Sequence, residues 1–251
     1  MSGHSKWSTI KRKKAVTDAK RGQIFTRVAK EISIAARDGG GDMDINFKLR
    51  LAVERARAVN MPKENIERAI KRGTGEDKTG NVFEEVTYEG YLQHGVALIV
   101  ETVTDNRNRA VADLRHVLNR VGGNLGESGS VAWQFERNAY FGFASQGHSE
   151  ENLFDLAVEA GAHDIQYSDD LVEIFAPVEA FKAVFDALEE VGIVPDEAML
   201  RMEPKNLLDL SPNDTLQVML TIDKIEELDD VQDVYSNLSV SESAISALDN
   251  R

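Results

Sequence analysis

The sequence predicts an α+β protein in which an N-terminal helical domain is followed by two α/β domains, one of them ferredoxin-like (βαββαβ) and inserted in the other. Three observations predict it. Apolar residues recur with a helical period up to Gly73, then give way, after the glycine- and charge-rich stretch Thr74 to Gly80, to β-rich runs. From Asn138 to about Glu203 the pattern runs β-α-β-β-α-β. A helix and a strand remain beyond it, and these are the pieces that the sheet begun at Val82 lacks. The expected domains are therefore 1–80, 81–136 together with 205–251, and 137–204.

Each element has a local cause. Asp18 to Arg37 is amphipathic: at about 100° per residue, Ile24, Phe25, Val28, Ile32, Ala35 and Ala36 share one side. Lys20, Gln23, Arg27, Lys30 and Arg37 gather on the other. Gly39-Gly40-Gly41-Asp42 breaks this helix, and Asp44 or Asn46 can cap a second one containing Leu49, Val53, Ala56 and Val59. Met61-Pro62 stops it and opens a third, with Gly73 suited to the position just past its end. Val82 to Leu92 and Val96 to Val103 read as strands around a Gln93-His94-Gly95 turn. Asn106 or Asn108 can cap a helix through Val121, after which Val131 to Phe135 resumes strand character. The inserted domain reads as strand Ala139 to Ala144, helix Glu150 to Ala160, strands Asp164 to Tyr167 and Leu171 to Ala176, helix Val178 to Val191, and strand Ala198 to Met202. Ser211-Pro212 opens the last helix, and Val231 to Tyr235 is the last strand.

Composition bounds the function. The chain has 251 residues and no cysteine, which removes disulfides, thiolate zinc sites and cysteine nucleophiles together. No run of 18 apolar residues occurs and Met1 to Trp7 lacks the apolar stretch of a secretory signal, so the expected setting is cytoplasmic, without a membrane partner. The net charge of -14 conceals a sorting of charge along the chain. Residues 1–78 hold 19 Lys and Arg against 10 Asp and Glu, a net of +9; subtracted from totals of 29 and 43, this leaves 10 against 33, or -23, for the rest. Such segregation suits the steering of a polyanionic partner. The alternative is that the basic end docks on the acidic body of the same molecule.

The strongest local signal is Lys11-Arg12-Lys13-Lys14, flanked by Lys6, Trp7, Lys20 and Arg21. Adjacent cations grip phosphate without reading sequence, and Trp7 can stack on an unpaired base. The plainer reading is a solvated tail with Trp7 in a core. Arg27 and Lys30 extend the cluster along the helix face that follows. A second candidate contact is Thr104-Asp105-Asn106-Arg107-Asn108-Arg109, where a helix N-terminus and two arginines can hold an anion; Asp105 and the asparagines equally suit a pinned turn. Arginines there oppose the helix dipole. The glycine-rich run Gly122 to Ser130 can bring amides close to a ligand or serve an ordinary hairpin.

Catalytic signatures are largely missing. Gly126-Glu127-Ser128-Gly129-Ser130 lacks the last glycine of a nucleophile elbow, and no phosphate-loop or His-Glu-x-x-His motif occurs. His4, His94, His116, His148 and His163 show no ligand spacing. The expectation is a protein with no enzymatic activity, no cofactor, no metal and no small-molecule substrate.

Gly3-His4-Ser5-Lys6-Trp7, Asp18-Ala19-Lys20-Arg21-Gly22, Gly39-Gly40-Gly41-Asp42, Tyr88-Glu89-Gly90-Tyr91, Thr104 to Arg109 and Gly122-Gly123-Asn124-Leu125-Gly126 together resemble the YebC/PmpR family, which includes the mitochondrial translational activator of cytochrome c oxidase. The resemblance runs from Gly3 to the Asp229 to Tyr235 segment. It implies a three-domain protein with a DNA-binding, transcription-regulating role, or alternatively a ribosome-associated translation factor that helps synthesis through proline-rich stretches. The nucleic-acid contacts expected are Lys6, Trp7, Lys11, Arg12, Lys13, Lys14, Lys20, Arg21, Arg27, Lys30, Arg107, Asn108 and Arg109, with DNA or ribosomal RNA as partner. An interaction module whose acidic ferredoxin-like domain docks a protein is the rival expectation from another class.

Overall fold

The computed structural model describes residues 18–77, 83–145, 147–168 and 171–240. Helices α1 (Asp18–Gly39), α2 (Phe47–Ala58) and α3 (Lys63–Gly73) form the first layer. Their shared core takes Val28, Ile32, Ala35 and Ala36 from α1, Leu49, Ala52, Val53 and Ala56 from α2, and Ile66 and Ala69 from α3. Of the two cap candidates, Asn46 is the one used. Its side-chain oxygen accepts from the Leu49 N–H at 3.0 Å, and its amide nitrogen donates to the carbonyls of Ala35 and Gly40 at 2.7 and 2.8 Å, tying the α1–α2 loop to both helices. Gly73 differs from expectation: it is the last residue of α3, and the left-handed position falls at Gly75 (φ +77°). What requires glycine at 73 is packing, because a Cβ there would lie 2.3 Å from the Ser33 carbonyl oxygen of α1.

The first sheet has strand order β3-β1-β2-β8, every neighbour antiparallel: β1 (Glu84–Tyr91), β2 (Ala97–Thr104), β3 (Asn124–Leu125) and β8 (Val231–Ser236). His94 (φ 62°) and Gly95 (φ 75°) make the tight β1–β2 reversal. Strand β2 is the centre of the sheet, buried at every position but Glu101. Helices α4 (Arg107–Asn119) and α7 (Pro212–Glu226) pack on it through Leu114, Leu118, Val218, Met219 and Ile222 against Leu98 and Val100. The two-residue β3 was not foreseen; it lies in the glycine-rich run, which carries no strand pattern.

The inserted domain is a second antiparallel sheet of order β5-β6-β4-β7: β4 (Phe135–Ala144), β5 (Asp164–Tyr167), β6 (Leu171–Pro177) and β7 (Glu197–Pro204). With α5 (Glu150–Glu159) and α6 (Phe181–Glu190) on one face, this is the ferredoxin-like order. The strand foreseen at Val131 to Phe135 and the one at Ala139 to Ala144 are corrected to a single strand beginning at Phe135, preceded by a 3-10 turn at Ala132–Gln134. Glu136 and Arg137, which fall between the two expected strands, are the outer end of β4 and pair with Glu203 and Met202 of β7. By its contacts the chain divides into two compact units, residues 133–205 and the stretches on either side of them. Among the described residues no helix is long and apolar enough to cross a membrane.

Candidate nucleic-acid interface

Helix α1 is buried on two sides. One side meets α2 and α3; the other, expected to face solvent with its cations, lies against the first sheet and the segment after α7. Arg27 Nη2 donates to the Glu226 carbonyl at 2.6 Å, and Arg37 Nη1 to the Phe83 carbonyl at 2.6 Å. Lys30 is 6% exposed, and its Nζ donates to the carbonyls of Val103 and Asp229 at 2.9 and 2.8 Å and to Asp230 Oδ1 at 2.8 Å. All three ammonium hydrogens are therefore used. The outward-facing roles expected of Arg27 and Lys30 are corrected accordingly: a helical wheel gives the angle of a side chain, not what lies at that angle.

Asp230 is the hub. Besides Lys30 it accepts from Arg109 Nη2 at 2.8 Å and from Thr104 Oγ1 at 3.0 Å. Burial alone would raise its carboxyl, but Lys30, Arg109 and Thr104 together hold it below the usual carboxylate range. Asp230 and Asp105, 2.9 Å from Arg109 Nη2, in turn push the Arg109 guanidinium above its ordinary value. Arg107 pairs with Glu84, and Asn106 caps α4 by accepting from the Arg109 N–H at 3.1 Å. The conflict of Arg107 and Arg109 with the dipole of α4 is thus settled by the protein's own carboxylates, and the pinned turn describes Asp105 and Asn106. Asn108 is exposed. Lys6, Trp7, Lys11, Arg12, Lys13 and Lys14 lie outside the described residues; Lys20 and Arg21 belong to α1, and their side chains are not described.

The glycine-rich loop is likewise internally bonded. The Glu89 carboxylate accepts from the N–H groups of Gly129, Val131 and Ala132, each at 2.7 Å. Burial would raise this carboxyl, yet the three amides hold it low. Gly123 and Gly126 serve contact: a Cβ would lie 2.6 Å from the Tyr91 carbonyl oxygen and 2.4 Å from Ser130 Oγ. Glu89 was missed as a structural residue; its one signal was an acid among the residues of a half-buried strand.

Other cations are exposed. Arg50 and Arg57 stand one heptad apart on α2, Arg68 and Lys71 share the outer side of α3, and Arg115 and Arg120 lie along and just past α4. Arg72 stacks over the Phe83 ring at 4.0 Å beside an open cleft of about 610 Å³ that Gln23, Thr26 and Arg109 also line.

Residues 5–76 match the family described as the TACO1/YebC protein N-terminal domain, and residues 83–238 match the TACO1/YebC second and third domain. A probable transcriptional regulatory protein of Prosthecochloris aestuarii is 50% identical over 251 residues, covering 100% of both chains. One of Chlorobium chlorochromatii is 50% identical over 249 residues, covering 99% of each. Among solved structures, a conserved hypothetical protein of Aquifex aeolicus superposes with a TM-score of 0.82 at 42% identity, over 90% of this chain and 93% of that one.

Proposed function

The chain belongs to the TACO1/YebC family, and from that premise we propose that it is a non-enzymatic regulator of gene expression that binds nucleic acid through backbone phosphate. Its relatives' name, probable transcriptional regulatory protein, supports a regulatory role at family level. The observation that carries the reading is the sorting of charge, +9 in residues 1–78 against -23 in the remainder, with Lys11-Arg12-Lys13-Lys14 as its densest point. Because Arg27, Lys30, Arg107 and Arg109 are engaged within the protein, the tail cluster takes the leading role. Replacing Lys11, Arg12, Lys13 and Lys14 by alanine flattens the dependence of log affinity on log salt by up to about 0.9 per lost duplex contact. A slope that stays the same removes the tail from the interface.

A ribosome-associated role in translation is the second reading. It draws on the exposed cations Arg50, Arg57, Arg68 and Lys71 on the outer sides of α2 and α3, which can meet RNA backbone phosphate. Co-sedimentation with ribosomes, set against selection of one promoter from random DNA, separates the two.

A further inference from the structure

Ile45 is the most exposed large apolar side chain among the described residues, at 82%. It stands in the α1–α2 loop, and that loop is tightly bonded. The Asn46 N–H donates to the Asp42 carbonyl at 2.8 Å, the Asp44 N–H donates to Asp42 Oδ1 at 2.9 Å, and the Asn46 side chain ties the turn to Ala35 and Gly40. An aliphatic group is thus held out to water on a fixed backbone, with the exposed Asp42 and Asp44 beside it. A lone surface aliphatic is ordinary, but one pre-organised on a pinned turn between carboxylates has the make-up of an interface anchor. The same helical layer holds a groove of matching chemistry. Between α1 and α3 lies a cleft of about 280 Å³ lined by Phe25, Ala29 and Ser33 of α1 and by Asn65, Arg68 and Ala69 of α3. Its floor is apolar, because Ala29 and Ala69 carry only methyl groups and Ser33 Oγ is spent on their two carbonyls, each at 2.9 Å. Arg68 is exposed at the rim and makes no ion pair with a described residue.

We propose that this groove receives Ile45 of a second copy of the chain, with Asp44 meeting Arg68 at the rim. Charge favours that occupant: an apolar floor under a cationic rim is complementary to an apolar knob flanked by carboxylates. Position favours it as well. Gly41 lies at the end of α3, where a Cβ would be 3.0 Å from Thr74 Cγ2 and 3.2 Å from Ile70 Cγ2. The knob therefore sits past the end of the helix pair that carries the groove, and two copies laid antiparallel bring each knob to the other's groove. Each copy then gives and receives the same contact, which closes the assembly at a dimer. A loop seated in a cleft, even twice over, belongs to the weak class of interfaces below about 1,200 Å², so the association is micromolar or weaker. This goes beyond the nucleic-acid reading and does not depend on it.

Sedimentation velocity on the full chain at rising concentration tests this. The wild type passes from monomer to dimer. Ile45→Glu, a change at an exposed position that leaves the circular dichroism spectrum and melting temperature as they were, weakens association by about tenfold or more. Asp44→Arg and Arg68→Asp each weaken it through like charges at the rim. Mixing these two single variants restores a dimer, because each then offers the charge that the other lacks; carrying both changes on one chain restores it too. A wild type that stays monomeric throughout overturns the inference, and so does a dimer that Ile45→Glu leaves intact. Charge-reversed variants that fail to recover when combined overturn the pairing of knob and groove.

Discussion

Lys30 stands at the angle where a helical wheel places a hydrated cation, yet it is among the most deeply held charges of the protein. Its long stem crosses apolar surface and delivers the ammonium to Asp230, the kind of burial that is stable only while both partners remain. Lys30→Met therefore leaves a buried carboxylate under-compensated and lowers stability at pH 7 by roughly 3–5 kcal/mol, read by urea unfolding. The sign with pH follows from the carboxyl. Asp230 is held below its unfolded value near 3.9, so its contribution is complete above that pH and is lost as pH falls through the folded value. The deficit of Lys30→Met accordingly shrinks below about pH 4, where the carboxyl left with Arg109 and Thr104 alone takes up a proton; a deficit that is constant down to pH 2 contradicts the pairing. Glu31 runs the other way, raised by burial ahead of the lowering by Arg55, so its charged form opposes folding and acid relieves it.

At the scale of elements, periodicity made the helices legible because one of their faces is apolar and regular. Strands were legible where β-branched residues crowd, as in Ala97–Thr104, and illegible where pairing rather than burial defines them. Glu136 and Arg137 belong to β4 only because β7 lies beside them, and Asn124–Leu125 is a strand only because Gly90 lets a backbone approach: a Cβ there would sit 2.4 Å from the Asn124 carbonyl oxygen. Gly73 carries the same lesson. Alanine is the better helix former by about 1 kcal/mol, yet Gly73→Ala drives a methyl into the Ser33 carbonyl and forces α3 away from α1. A fall in melting temperature is expected, and a rise shows that the two helices can separate without loss.

For the molecule as a whole, the sorting of charge was legible from the sequence, but the destination of each charge was not. Lys30 and Asp230 are 200 positions apart, and nothing local marks either as the other's partner. Of the expected contact residues that could be followed in space, Arg27, Lys30, Arg107 and Arg109 turned out to be engaged internally and Asn108 to be exposed, while Arg115 and Arg120 were passed over because they form no run. The unit of residues 133–205 has a core of its own, built on Phe141, Ile174, Val184 and Leu188. Expressed alone it should give a single cooperative unfolding transition by circular dichroism; a gradual, featureless loss of signal denies it that independence.

The hub at Asp230 also sets a timetable for the newborn chain. Lys30 is made early and its carboxylate some two hundred residues later, so the second side of the three-helix layer is completed only when Asp230 arrives. Truncation anywhere before Asp230 thus leaves a chain in which Lys30 of α1 has no carboxylate to close on, which ties the helical layer to residues made two hundred positions later.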